Sequence, residues 1–268
     1  MHNETTNPNI THKSIFKVRH DGSAHVVSDI IAREAPLQLL INNEPLTITM
    51  RSPGDDIALC AGFLWAERII SHPSDITSIS KTEDDIIVFE IKNPMGLQSK
   101  TFLTNSSCGV CGKTSLEEVS KESPFKNMIT RIETIHREMI YSLPAILKNY
   151  QSSFNLTGGI HGCAFFDNEG KMIDFAEDVG RHNALDKLIG KYVLMDKLPI
   201  DKYILLLSGR ISFELVQKAD MAGIKIICGI GAPSDLAIEM AEINNITLIG
   251  FLKADSFNIY SHSFRIAL

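Results

Sequence analysis

Apolar and polar positions alternate with two different periods along the chain. From Ser14 to about Ile91 the period is close to two, the signature of half-buried strands. Residues 36–41 and 45–50 flank Asn42-Asn43-Glu44 and read as a hairpin; residues 77–81 and 86–92, split by Glu83-Asp84-Asp85, read as another. One helix is expected between them. Ser52 suits its N-cap, Pro53 its first position, and Asp55 completes a capping-box-like pair, with the helix running to about Arg68. Ile57, Ala61, Leu64 and Trp65 would share its inner face. A second helix is expected over residues 128–143, where Ile129, Ile132, Ile135 and Met139 recur at helical spacing.

Beyond Phe154 the pattern changes. Residues 163–166 and 171–175, joined by Asp167-Asn168-Glu169-Gly170, predict a third hairpin. Helices at 181–195, 212–222 and 234–243 then interleave with short, continuously apolar strands at 202–207, 224–230 and 246–252. Strands of that kind are buried on both faces, which predicts an α/β fold around a parallel sheet. The expected division is a disordered tail over 1–13, a strand-rich region with one helix over 14–104, and an α/β core over 105–268.

Composition narrows the function classes. With 44% hydrophobic and 22% charged residues the 268-residue chain is an ordinary globular one, not disordered, collagenous or coiled-coil. The net charge of −6 argues against nucleic-acid binding by bulk charge. The longest apolar runs are far below the roughly 20 residues of a membrane helix, and the N-terminal segment lacks a signal-peptide pattern. A cytoplasmic protein without membrane insertion is the expectation. Five cysteines, an odd number, do not form a disulfide framework. Cys60, Cys163 and Cys228 lie in apolar runs and are expected as core residues.

Cys108-Gly109-Val110-Cys111 differs, because it sits in a small, polar, Gly-containing stretch that reads as a loop. Half a metal site, a redox dithiol and a nucleophilic sulfur are all compatible with it; a structural zinc would need two further ligands from elsewhere. Three other segments could meet a ligand. Gly158-Gly159-Ile160-His161 leads into a strand, with His161 either a ligand contact or a hydrogen-bonded turn residue. Glu177-Asp178-Val179-Gly180-Arg181-His182-Asn183 opens a helix, whose free N–H groups and Arg181 suit a phosphate or carboxylate, although a solvated cap would look the same. Ser208-Gly209-Arg210 and Gly231-Ala232-Pro233-Ser234 follow strands, where open α/β sheets bind ligands. Neither is a Walker or dinucleotide-binding glycine loop.

Together, the stretches 106–113 and 157–161, the block from Glu177 to Lys187, Ser208-Gly209-Arg210-Ile211-Ser212-Phe213-Glu214 and Gly250-Phe251 resemble the FdhD/NarQ family of formate dehydrogenase accessory proteins. The resemblance implies a cytidine-deaminase-like three-layer α/β/α core and a homodimer. It implies a sulfurtransferase that takes persulfide sulfur from a cysteine desulfurase and passes it to the molybdenum cofactor, bis-molybdopterin guanine dinucleotide, before insertion into the formate dehydrogenase catalytic subunit. By that resemblance Cys108 carries the persulfide with Cys111 as its partner. The cofactor would meet Gly158, Gly159, His161, Asp178, Gly180, Arg181, His182, Asn183, Ser208, Gly209 and Arg210. A further contact segment falls on Phe251, Leu252, Lys253, Ala254, Asp255 and Ser256, with Lys253 standing where the family commonly has Arg. No structural metal is implied.

Two rivals belong to other classes. A zinc deaminase needs a His-x-Glu before its Pro-Cys-x-x-Cys; here the Cys pair comes first, and Cys163 stands where the Glu would be. A chaperone that only holds the cofactor would carry the same loops without needing Cys108.

Overall fold

The computed structural model of the protein describes residues 7–83, 85–95, 102–104, 122–126 and 134–268. It is a mixed α/β structure with two main sheets. The N-terminal sheet has the order β5-β6-β3-β4-β7, from β3 (Ala35–Ile41), β4 (Glu44–Arg51), β5 (Ile76–Glu83), β6 (Ile86–Ile91) and β7 (Phe102–Thr104). Both expected hairpins are there. Asn42 and Asn43 take positive φ between β3 and β4, the two-residue turn that suits strand twist. Ahead of that sheet, β1 (Ile10–Val18) and β2 (Ala24–Ala32) form a separate hairpin. The tail expected over 1–13 is therefore wrong from Ile10 onward, because β2 supplies the cross-strand partners that the polar start of the chain does not advertise.

The C-terminal sheet has the order β10-β9-β11-β12-β13-β14, from β9 (His161–Phe166), β10 (Met172–Asp178), β11 (Ile204–Leu207), β12 (Ile226–Gly229), β13 (Thr247–Gly250) and β14 (Asn258–Ser261). β11, β12 and β13 are parallel, as their apolar composition predicts. The sheet as a whole is mixed, since β9 and β14 run against them. One face carries Cys163, Phe165, Leu205, Leu207, Ile227 and Leu248 towards α4 (Arg181–Leu194), α5 (Phe213–Met221) and α6 (Asp235–Ile243). The other carries Ala164, Phe166, Leu206 and Cys228 towards Ile140, Leu143 and Leu147 of α2 (Arg137–Tyr150). That is the expected α/β/α layering. Cys60, Cys163 and Cys228 are all buried in it, and burial raises each thiol's pKa, that of Cys228 to about 12.

Two helices depart from expectation. α1 is Asp56–Ala66, and its N-cap is Asp55 rather than Ser52. Gly54 and Asp55 both take positive φ, so the chain turns once more before the helix starts. Ile57 is consequently exposed, while Ala61, Leu64 and Trp65 are buried. The described part of the second helix begins at Arg137, Ile135 belongs to a short strand, β8 (Ile135–His136), and residues 128–133 lie outside the described residues. The helix also continues through Pro144. Burial of Leu143 and Leu147 against the sheet outweighs the backbone bond that Pro144 cannot make.

The two halves share one core. Leu37, Leu39 and Phe89 of the first sheet belong to the same buried cluster as Phe165 and Leu205 of the second, with α1 and α4 between them. The helix pair meets at two glycines. A Cβ on Gly62 would stand 2.0 Å from the Asp186 carbonyl oxygen, and one on Gly190 would stand 1.8 Å from that of Ala58. Gly190→Ala should thus destabilise by about 3 kcal/mol or more, since backbone must move to admit a methyl group. A urea titration showing less than about 1 kcal/mol of loss would mean that the helices separate freely.

Candidate functional site at the sheet edge

Topology gathers the candidate segments. β10 runs antiparallel to β9, and β9 antiparallel to β11, so β10, β11, β12 and β13 all point the same way. Their carboxyl ends, together with the start of β9, make one edge. The loops there are Gly158–His161 before β9, Val179-Gly180 before α4, Ser208–Arg210 after β11, Gly231–Ser234 after β12, and the turn beginning at Phe251 after β13. Segments separated by nearly a hundred residues in sequence are thus neighbours.

Backbone bonds lock these loops to one another. Ser208 exchanges two with Gly162: its N–H donates to the Gly162 carbonyl and its Oγ accepts from the Gly162 N–H, both at 2.9 Å. Gly231 N–H donates to Gly209 O at 3.2 Å, and Phe251 N–H donates to Gly231 O at 3.1 Å. A Cβ on Gly231 would fall 2.8 Å from the Arg210 nitrogen, so the approach requires glycine. Phe251 itself holds a positive φ of 52°, uncommon for a bulky residue, and its ring is left exposed at the edge.

Below the edge lies a buried ionic knot. Asp178 is fully buried, and Lys187 Nζ pairs with its Oδ2 at 2.8 Å. The same carboxylate accepts from the N–H groups of Ser52 and Gly180 and from Asn183 Nδ2. Asn183 Nδ2 also donates to Met50 O at 2.7 Å, and Lys187 Nζ to Ser52 O at 2.8 Å. Asp178 and Asn183, expected to meet the cofactor, turn the Asp178 carboxylate and the Asn183 amide nitrogen into the protein, fastening β4 to the start of α4. Leu252, within the expected contact segment, turns its side chain into the core, against the α2 face of the sheet. Gly180 is buried as the α4 N-cap.

Above the knot, two helix N-termini converge. α4 begins at Arg181 and α5 follows its N-cap Ser212, and neither has a side-chain cap. His182 bridges them, with Nε2 3.2 Å from Ser212 Oγ and 3.8 Å from Glu214 Oε2. The His182 imidazole and the Ser212 hydroxyl hold the Glu214 carboxyl down to about 2, so it is ionised at any physiological pH. His161 sits over Gly209, whose Cβ would lie 3.4 Å from its Nδ1. Burial first, then the neighbouring Arg181 and His182, lower the His161 pKa, which favours the neutral ring. Arg181 Nε is buried without a hydrogen-bond partner among the described residues. An unused guanidinium donor beside uncapped helix starts is an anion-binding arrangement.

On the other side of the edge a cleft of about 560 Å³ opens between α2 and the sheet, lined by Gly158, Gly159, His161 and Ser208 with Lys148, Gln151 and Ile230. The sheet edge therefore divides the expected contacts. Gly158, Gly159 and Ser208 face the α2 cleft, Arg181 and His182 lie on the α4 side, and His161 stands at their border. Gly209, Arg210, Phe251, Lys253, Ala254, Asp255 and Ser256 are on the rim, with Arg210 and the residues from Lys253 to Ser256 exposed. Cys108 and Cys111 lie outside the described residues. Thr104, four residues before Cys108, pairs with Thr49 of β4, next to the Met50–Ser52 stretch that binds Asp178 and Asn183. Among the described residues no group of three His, Cys, Asp or Glu side chains is placed to hold a metal ion.

Sequence reasoning missed Gln151, Lys187 and Glu214. Glu214 follows an evident N-cap serine and could have been found as an acid in a first turn; nothing in the sequence marks Gln151.

The fold and this edge define a mixed α/β protein whose described loops at the sheet edge include no glycine-rich nucleotide loop. The chain belongs to the FdhD/NarQ family, whose sequence model matches residues 32–267. It is 43% identical to the sulfur carrier protein FdhD of Saccharolobus solfataricus over 249 residues, 92% of this chain and 94% of the relative. It is 39% identical to the protein of the same name from Streptomyces avermitilis, over 96% of this chain and 95% of the relative. The crystal structure of a protein described as a formate dehydrogenase accessory protein from Desulfotalea psychrophila has the same fold, with a TM-score of 0.80 over 97% of this chain and all of that one, at 22% identity. Among the described residues no helix is long and apolar enough to cross a membrane.

Proposed function

We propose that this protein is a sulfur carrier serving formate dehydrogenase, acting as a sulfurtransferase through a persulfide on Cys108. The observation that carries the acceptor half of this reading is the Arg181 Nε donor, buried and without a partner among the described residues, beside two uncapped helix starts. The acceptor is the molybdenum cofactor with its two guanine dinucleotides, bound as substrate. Its pyrophosphates fit Arg181, His182, Arg210 and the first-turn N–H groups of α4 and α5, a local concentration of donors that needs no overall positive charge.

For the donor half, the Cys108 thiolate attacks the outer sulfur of a persulfide on a cysteine desulfurase. One S–S bond forms as another breaks, and the desulfurase thiolate leaves, so no external oxidant is needed. Cys111 is the partner thiol. Thr104 supports this reading. Cys108 is four residues from a strand end anchored beside the edge, a span of at most about 14 Å of extended chain. The formate dehydrogenase catalytic subunit is the receiving partner, the working unit is a homodimer, and the compartment is the cytoplasm.

Arg210→Ala separates the two halves. Loss of a charge-assisted hydrogen bond to phosphate should weaken binding of guanosine diphosphate, used as the probe, tenfold to a hundredfold, about 1.5–3 kcal/mol. Persulfide loading of Cys108, read by mass of the peptide after incubation with a desulfurase and cysteine, should be unchanged. Intact nucleotide affinity with collapsed loading would move Arg210 to the sulfur step and remove the phosphate assignment.

A further inference from the structure

Two side-chain rungs cross from α4 to α5, one helical turn apart on each helix. The first is His182 against Ser212 and Glu214, at the two helix starts. The second is Asp186 against Lys218, four residues beyond His182 and Glu214 respectively. Lys218 Nζ donates to both carboxylate oxygens of Asp186, at 2.6 and 2.8 Å, and both residues are buried. The rung at the site is looser, with 3.8 Å between His182 Nε2 and Glu214 Oε2.

One end of the tight rung is fixed. Asp186 sits where α4 meets α1, its carbonyl packed on Gly62, so its main chain has no room to shift. Lys218 stands on the helix that can move. α5 is held at its carboxyl end, where Trp65 Nε1 donates to Met221 O and Ser123 Oγ to Asp220 O, each at 2.7 Å. Just before its start, Ile211 N–H donates to Ala232 O, which ties the loop to the β12 side of the sheet, whereas α4 packs over β9 and β10. The gap between the two helix starts is thus left to the rungs. The nine residues of α5 span about 13 Å, so a tilt of about 5° about the held end moves its start by about 1 Å. An N–H···O bond keeps its strength only over about 2.7–3.2 Å, so an oxyanion shared by both starts would lose one set of donors. Stability does not require the charges. Apolar side chains of similar volume often replace a buried ion pair at no loss, because desolvation of the charges offsets their attraction.

We propose that Asp186 and Lys218 are positioning residues for the anion site: their ion pair sets the spacing of the α4 and α5 starts, so that Arg181, His182 and the first-turn amides of both helices meet one oxyanion group of the acceptor. Neither residue touches the ligand; both act through His182 and Ser212. The inference rests on the acceptor half of the function proposed above.

The test measures binding of guanosine diphosphate to the full-length protein by calorimetry, beside a thermal melt. Asp186→Leu/Lys218→Met should melt within about 3 °C of the wild type, yet bind at least about tenfold more weakly. Its nuclear Overhauser contacts between the His182 ring and Ser212 should weaken as the α5 start moves away. Lys218→Arg keeps the cation and offers the carboxylate a matching fork, so it should bind within about threefold of the wild type. Asp186→Asn keeps the side-chain shape and one bond from Lys218; it decides the matter if the double variant does not fold, with an expected loss of about threefold to tenfold. Wild-type affinity in the double variant, or in Asp186→Asn where that one decides, overturns the proposal, as does a loss in Lys218→Arg equal to that of the double variant. A wild type that binds no guanosine diphosphate overturns the acceptor reading itself and this proposal with it.

Discussion

Cells that depend on this protein and carry only its Cys108→Ala form are expected to make formate dehydrogenase that is inactive, with activity down at least a hundredfold. The same variant should melt as the wild type does. Cys108 lies between small and polar residues, outside every apolar run of the sequence, so its loss removes a sulfur nucleophile and little packing. The buried thiols behave in the opposite way. Cys60, Cys163 and Cys228 are enclosed by core side chains and held protonated by burial, so none can serve as a thiolate at neutral pH. Two measurements check the prediction: formate oxidation in extracts of a complemented deletion strain, and a thermal melt of the purified variant. Full activity with Cys108→Ala would leave a holding role for the cofactor and end the persulfide reading.

Asp178→Ala carries the second large effect, on stability. It deprives the buried Lys187 of its 2.8 Å partner, and it frees the Ser52 and Gly180 N–H groups and the Asn183 amide. Removing one member of a buried pair typically costs 3–5 kcal/mol, a large share of a domain's total of roughly 5–15 kcal/mol. Denaturant unfolding should show that loss. Lys187→Met in the same background should restore part of it, because the uncompensated charge goes with the lysine. A loss below about 1 kcal/mol, or no recovery in the double variant, would show that solvent reaches the pair.

Much of the C-terminal sheet was legible because its central strands, β11, β12 and β13, are short and almost wholly apolar, and Ser212 and Ser234 stand at the N-cap positions of α5 and α6, where only Ser234 makes the side-chain cap bond. The N-terminal helix was misplaced for a local reason. Ser52-Pro53 carries every sign of a helix start, yet Ser52 is taken by Asp178 and Val179, partners more than a hundred residues away that no local pattern reveals. The same limit explains the site. Arg181, His182 and Arg210 stand out in the sequence because charged residues at helix starts and strand ends are conspicuous, and the fold places them along the sheet edge. Asp178 and Asn183 look equally suited to a ligand in the sequence. Only the fold shows that the Asp178 carboxylate faces Lys187 and Ser52 and that the Asn183 amide nitrogen faces Met50.

The glycine contact between α1 and α4 also limits how the molecule can move. Sliding of packed helices needs a layer of side chains that can re-interdigitate in small steps, and at Gly62 and Gly190 there is none, only main chain against main chain. Among the described residues, this contact therefore gives the two sheets no plane on which α1 and α4 can slide. With that contact fixed, motion at the sheet edge is left to its loops, and loop kinetics, rather than sliding of the helix pair, is the step to time.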